Sequence, residues 1–311
     1  MDKLRSAAAE PLKLRPESPS SGFFHQVKTE LKGFGFLLPF LTVFGVFYLW
    51  PLCRGAWISL HSWGIMGPLK YVGWANYLKT LQNKDFYLYL WHSVYFVLLS
   101  TPLLIVVGLL LAVLVNRKFR GRTLVRAVIF SPYVLSVAVV AYIWFEMLDA
   151  KRGIVNVILH AIGLPREINW LTDPNLAWWA IVITSIWWYV GFVMVLYLAG
   201  LQEISPDLYE AASIDGANAI HQFFRITLPS LAGVTRVQIF FQVIAGLKLF
   251  GQVQIMTNGG PGDVTRTVVQ HIYVTGFRKD FFGEAAAQSL VFCLFMLLVS
   301  VFQYKFVNQR R

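Results

Sequence analysis

Six stretches, 33–53, 91–115, 127–147, 176–202, 234–257 and 285–304, are long, apolar and almost free of charged side chains. About 20 apolar residues at 1.5 Å rise each span a bilayer core of about 30 Å, and every one of these stretches meets that length. The fifth is interrupted by Arg236 and Lys248. Of the 311 residues 57% are hydrophobic, 16% aromatic and only 14% charged, against roughly a quarter charged in soluble chains. That balance excludes a water-soluble globular domain and a disordered chain. The expected fold class is an all-α integral membrane protein of six transmembrane helices, a single membrane domain over 33–311 preceded by a polar tail, 1–32, that carries Pro11, Pro16 and Pro19 and is not a secretory signal peptide.

The formal charge of +11 does not indicate nucleic-acid binding, because the basic residues sit in connections between apolar runs. Six Lys and Arg in the tail, five in 116–126, Arg225 and Arg236, and Lys305, Arg310 and Arg311 lie on one side of the expected membrane; nine lie on the other, with Arg54 and Lys248 in or beside spans. The excess of positive loops is cytoplasmic, which places both termini inside. Trp50, Trp57, Trp63, Trp91, Trp170 and Trp178 fall near span ends, as interfacial anchors do. Cys53 and Cys293 lie in apolar segments, the six histidines are scattered, and no metal-ligand spacing occurs, so neither a metal nor a catalytic set is expected.

The connection 203–230 is the least basic on the cytoplasmic side and reads as helix, turn, helix. Ser205 can cap, Pro206 fits the first helical position, Asp207 meets the positive end of the helix dipole, and Gly216 suits a helix end. A second helix is expected over 217–227, running to Pro229. The small pair Ala211 and Ala212 beside Glu210 would admit close approach of another protein surface; a short helix lying on the bilayer is the simpler alternative.

The pattern Glu210-Ala211-Ala212, Gly216, Ile226, Leu228-Pro229 resembles the EAA loop of permease subunits from binding-protein-dependent ABC importers. Leu198–Gln202, Leu208-Tyr209, Thr257-Asn258-Gly259-Gly260-Pro261, the set Asp149, Gly153 and Asn156, and Trp170-Leu171 with Asp173-Pro174 are similar to the maltose-transporter-like branch, whose members carry sugars. The resemblance implies the type I importer fold and a non-enzymatic subunit. Its partners would be a second related permease subunit, a homodimer of ATP-binding subunits that binds the ATP and Mg, and an extracytoplasmic solute-binding protein, all in a bacterial inner membrane. It also implies that Glu210, Ala211, Ala212 and Gly216 form the ATPase-coupling element. The chain itself holds no cofactor signature: no G-x-x-x-x-G-K-[ST] occurs, so the phosphates of ATP have no cradle here.

Sugars are held by hydrogen bonds to hydroxyls and by stacking on rings. Mid-span residues able to do this are Ser185, Trp188 and Tyr189 on the fourth span and Gln238, Gln242 and the small Gly246 on the fifth; helix packing is their alternative use. Ser185 and Tyr189 share a helix face, as do Gln238, Gln242 and Gly246. Lys248 marks either an anionic cargo, such as a uronate oligosaccharide or a glycerol phosphate, or a side chain snorkelling outward. An ion-coupled carrier would need embedded acidic residues, and the spans offer only Glu146 near an end.

Overall fold

The computed structural model describes residues 36–163 and 167–308. The expected tail, 1–32, and its boundary with the membrane domain lie outside the described residues. The chain divides into two compact units after Gly55. In the first, the helix α1, Phe36–Ser59, begins; Phe40, Phe44 and Tyr48 stack along it at centroid distances of 5.9 and 5.6 Å. Over 36–53 its side chains are almost all apolar, the composition of a helix solvated by lipid.

The second unit starts at Ala56. A two-stranded antiparallel hairpin, β1 (His61–Gly64) and β2 (Gly67–Tyr71), leads into α2, Ala75–Gln82. Then come α3 (Lys84–Asn116), α4 (Arg122–Phe130), α5 (Val137–Met147), α6 (Ile154–Ala161), α7 (Ala177–Gln202), α8 (Pro206–Ile214), α9 (Ala219–Ser230), α10 (Ala232–Leu247), α11 (Val268–Tyr273) and α12 (Phe282–Asn308). The fold is therefore helical, and α1, α3, α7 and α12 are each long and apolar enough to cross a membrane unaided. They correspond to the first, second, fourth and sixth expected spans.

The third and fifth spans are not the single straight helices expected. Residues 127–147 are split: a tight turn, Ser131–Val134, contains Pro132, Leu135 is extended, and α5 restarts under a cap in which the Val139 N–H donates to Ser136 Oγ. The two halves meet at 101°. Proline removes a donor and clashes with the preceding turn, which is why an apolar run need not be one helix. In the fifth, α10 ends at Leu247 instead of continuing to Thr257; it joins α9 at 61° across Leu231, and a short helical turn, Val253–Thr257, follows its break. Counting each bent pair as one span gives six.

The core lies where α3 packs on α7, around Leu104, Leu109, Met194, Tyr197 and Leu231. A second cluster, Phe86, Val97, Leu247, Val268 and Phe292, joins α3 to α10, α11 and α12. At the end of this unit away from α8, Lys79 of α2 pairs with Glu284 of α12, and Asn76 Nδ2 donates to the Ser59 and His61 carbonyls at 2.8 and 3.0 Å. At the same end, buried Asn156 holds the 149–170 connection: its Nδ2 donates to the Ala150 and Ile168 carbonyls, each at 3.0 Å, and its Oδ1 accepts from Trp170 Nε1 at 2.8 Å. Asp149 caps the turn by accepting from the Lys151 and Arg152 N–H groups, and those bonds hold its carboxyl below the usual carboxylate range. Asn156→Leu leaves these partners unsatisfied and is expected to cost about 1–3 kcal/mol. The check is tryptic cleavage at the exposed Lys151 and Arg152, which should become faster than in the unsubstituted protein.

Candidate functional site: a cavity at two helix breaks and an exposed helical loop

The breaks in the third and fifth spans come together. Gly251, just past the α10 break, lies so close to Val137 at the start of α5 that a Cβ at position 251 would sit 2.6 Å from Val137 Cγ2. Both residues line one cavity of about 230 Å³ between α3, α5, α7 and α10. Backbone groups freed by a break within a membrane must find partners, and here they do. Thr267 Oγ1 donates to the Leu249 carbonyl at 2.8 Å, and Trp188 Nε1 donates to the Leu135 carbonyl at 3.2 Å.

Five of the seven residues expected on the pathway, Ser185, Trp188, Tyr189, Gly246 and Lys248, line this cavity. The Trp188 and Tyr189 rings are 4.6 Å apart, and Tyr133 adds a third ring 5.9 Å from Tyr189. Ser185 Oγ donates to the Ile181 carbonyl at 2.8 Å. Lys248 follows the last turn of α10, at the break and not within a continuous helix, and is exposed. No ion pair or hydrogen bond among the described residues engages its ammonium group. Gln238 and Gln242 do not line this cavity. Both are buried, and Gln238 Nε2 donates to the Val193 carbonyl of α7 at 3.4 Å.

Sequence reasoning missed Phe96, Ser100 and Leu104, which reach the cavity from α3, and Val137 from α5. Ser100 in an apolar run was the available polar signal. Gln252, beyond the break, completes the polar lining.

The loop 203–230 forms the second part of the site. Ser205 accepts from the Asp207 N–H at 3.3 Å, opening α8 as its sequence dictates. Gly216, at φ +81°, ends it, with the Ala217 N–H donating to the Ala212 carbonyl at 2.8 Å. The second helix starts at Ala219 and not at Ala217, because Asn218 is the cap and accepts from the His221 N–H at 2.9 Å. Side chains then lock the two helices together. Tyr209 and Thr227 hydroxyls are 2.9 Å apart, and Gln222 Nε2 donates to Ser213 Oγ at 2.8 Å and to the Ala217 carbonyl at 3.3 Å.

The locked loop presents Glu210 and Ala211 exposed and Ala212 half-buried. Around them are large apolar side chains in the open: Ile214 is 87% exposed, Ile220 69% and Phe224 59%. An exposed apolar surface of this kind, with small residues and one carboxylate, suits either another protein or the bilayer surface as its cover.

The loop Asn258–Thr267 closes the opposite end. Asp263 pairs with Arg266 at 2.7 Å and accepts from the Tyr89 hydroxyl, while Thr257 and Thr265 hydroxyls are 2.7 Å apart. Behind it His271 is neutral, its pKa lowered to about 4 by burial and, secondarily, by the positive charge of Lys279. No group of three or more potential metal ligands occurs among the described residues.

A family model described as binding-protein-dependent transport system inner membrane component matches residues 104–311. The chain is 35% identical over 280 residues to the trehalose/maltose transport system permease protein MalF of Thermococcus litoralis, covering 90% of this chain and 94% of that protein. It is 35% identical over 289 residues to the lactose transport system permease protein LacF of Rhizobium radiobacter, covering 91% and 96%. Among solved structures, a chain of a bacterial alginate ABC transporter in complex with alginate pentasaccharide-bound periplasmic protein shares the fold, with a TM-score of 0.81 over 92% of this chain and 97% of that one at 23% identity.

Proposed function

The chain belongs to the family of inner membrane components of binding-protein-dependent transport systems, and from that premise we propose that it is the permease subunit of an ATP-driven carbohydrate importer, forming part of the translocation pathway. One observation carries the cargo reading: the break of the third span at Leu135 and the end of α10 at Leu247 meet at a cavity whose polar and aromatic lining includes Ser185, Trp188, Tyr189 and Gln252. Discontinuous helices at membrane depth are tolerated where they line a cavity, and they mark substrate sites in other carriers. The names of the trehalose/maltose and lactose relatives support a sugar.

The partners follow from the same reading. A second related permease completes the pathway, a solute-binding protein delivers the sugar from outside, and a homodimeric ATPase docks on the loop, which puts 203–230 and both termini in the cytoplasm. Glu210 offers a carboxylate to the ATPase, Ala211 and Ala212 let its surface approach closely, and Gly216 fixes the turn. Closure of the ATPase moves α8, and the hydroxyl and amide braces to α9 pass that motion into α10, the helix whose far end borders the cavity. The lack of a G-x-x-x-x-G-K-[ST] sequence supports hydrolysis in the partner. Trp188→Ala removes a stacking surface, at about 1.5 kcal/mol, and is expected to raise the half-saturating sugar concentration about tenfold in proteoliposome uptake. Unchanged uptake would remove Trp188 from the pathway.

Lys248 favours a second cargo class, since an ammonium group without a protein partner at the cavity suits a carboxylate or phosphate. Lys248→Met separates the two. Loss of uptake confined to uronate oligosaccharides or glycerol phosphate identifies an anionic cargo; equal kinetics for neutral and anionic solutes assign Lys248 to the interface.

A further inference from the structure

A second cavity, of about 590 Å³, lies between the last turns of α7 and the first turns of α10, lined by Ala199, Glu203, Ser230, Gly233, Arg236 and Gln238 among others. Gln238 is 1% exposed. Its Nε2 is used on the Val193 carbonyl, but its Oε1 is a buried acceptor with no hydrogen-bond donor among the described residues. A buried acceptor left in that state destabilises the fold unless a ligand or water supplies the donor.

The two cavities share one helix face. Gln238, Gln242 and Gly246 occupy successive turns of α10: Gln238 lines the second cavity, Gly246 lines the first, and buried Gln242 lies between. At 1.5 Å per residue the file is about 12 Å long. It interposes amide groups where an apolar core would otherwise seal one cavity from the other. The charges also differ. The first cavity has the cation Lys248, whereas Glu203 and Arg236 balance in the second. A lining of zero net charge with an unused acceptor and a hydroxyl at Ser230 suits an uncharged ring rich in hydroxyl donors.

We infer that this cavity is a second sugar-binding subsite, on the release side of the pathway, with Gln238 Oε1 accepting a sugar hydroxyl. The inference rests on the importer reading above and adds a site to it. A ligand leaving the first cavity is met by a second set of hydrogen-bonding groups along α10 instead of by packed apolar side chains.

The test is equilibrium binding of radiolabelled maltose, trehalose and lactose to the complete assembly in nanodiscs, without nucleotide or binding protein, alongside sugar-stimulated ATPase with binding protein. The expected isotherm for at least one sugar has two equivalents per copy of this chain. Gln238→Leu weakens one of them at least about tenfold, the loss of a hydrogen bond from a buried site. Gly233→Leu removes the same equivalent by filling the space; a Cβ there meets nothing within 4 Å, so the branch point of the new side chain has room. Trp188→Ala weakens only the other. Unchanged two-site binding in both cavity variants, or a single equivalent that Trp188→Ala alone weakens, overturns the subsite and leaves the importer reading standing. Loss of the second permease from the purified Gly233→Leu assembly makes the cavity a subunit contact and overturns the subsite too. Absence of both binding and ATPase stimulation with all three sugars overturns the carbohydrate reading and the subsite together.

Discussion

Gly216→Val is expected to lower sugar-stimulated ATP hydrolysis and uptake about tenfold or more while the protein still inserts into the membrane. The cause is conformational. Gly216 sits at φ +81°, and a Cβ built there touches nothing within 4 Å, so volume is not the obstacle. A side chain in the left-handed region costs roughly 1–2 kcal/mol, with β-branched valine at the unfavourable end. Relief of that strain unwinds the turn closed by the Ala217 N–H on the Ala212 carbonyl and shifts Ala211 and Ala212, the surface proposed to meet the ATPase. Asparagine visits the left-handed region readily, so Gly216→Asn should retain most activity. Parallel uptake and ATPase assays on the two variants in proteoliposomes check this; equal loss in both would mean that the side chain, not the backbone, is at fault.

Gly191→Leu is expected to lower the thermal unfolding midpoint of the detergent-solubilised protein by roughly 5–10 °C and to abolish uptake. A Cβ at 191 would lie 2.4 Å from the Ile129 carbonyl oxygen and 2.6 Å from Phe130 Cα, and backbone atoms cannot rotate away. Overpacking of this kind costs about 1–3 kcal/mol or more. The helices α7 and α4 must separate, and with them go the stacking of Tyr133 on Phe192 at 4.9 Å and the Trp188 bond to the Leu135 carbonyl. The site is thus tied to the fold at this glycine. Gly45→Ala, where a Cβ meets no atom within 4 Å, is the control and should leave the midpoint nearly unchanged.

The contrast between these positions shows what the sequence made legible. Ser205, Pro206 and Gly216 act through their own backbone and nearest turns, so the start and end of α8 could be read directly. Asn218 carried the same kind of signal, and overlooking it put the start of α9 two residues early. The long helices α3, α7 and α12 follow from apolar length alone. Composition says nothing of where such a run breaks, however, and the bends at Leu135 and after Leu247 depend on Pro132, on the Ser136 cap and on carbonyl partners supplied by Trp188 and Thr267 from elsewhere in the chain. Gln238, Gln242 and Gly246 are buried on successive turns of α10, but a file about 12 Å long outruns one cavity. Phe96 and Ser100 join the lining only because α3 packs on α7 and α10, a tertiary fact without a local signature.

The proposed coupling runs from an ATPase bound at 203–230 to sugar in the cavity at the two helix breaks. It is tested most directly by the ATPase activity of vesicles holding the co-purified assembly, supplied with its binding protein and a panel of neutral and uronic-acid oligosaccharides. Stimulation by one sugar class, lost in Gly216→Val, is the expected result. Failure of any ATPase to co-purify, together with uptake that follows an ion gradient, would contradict it.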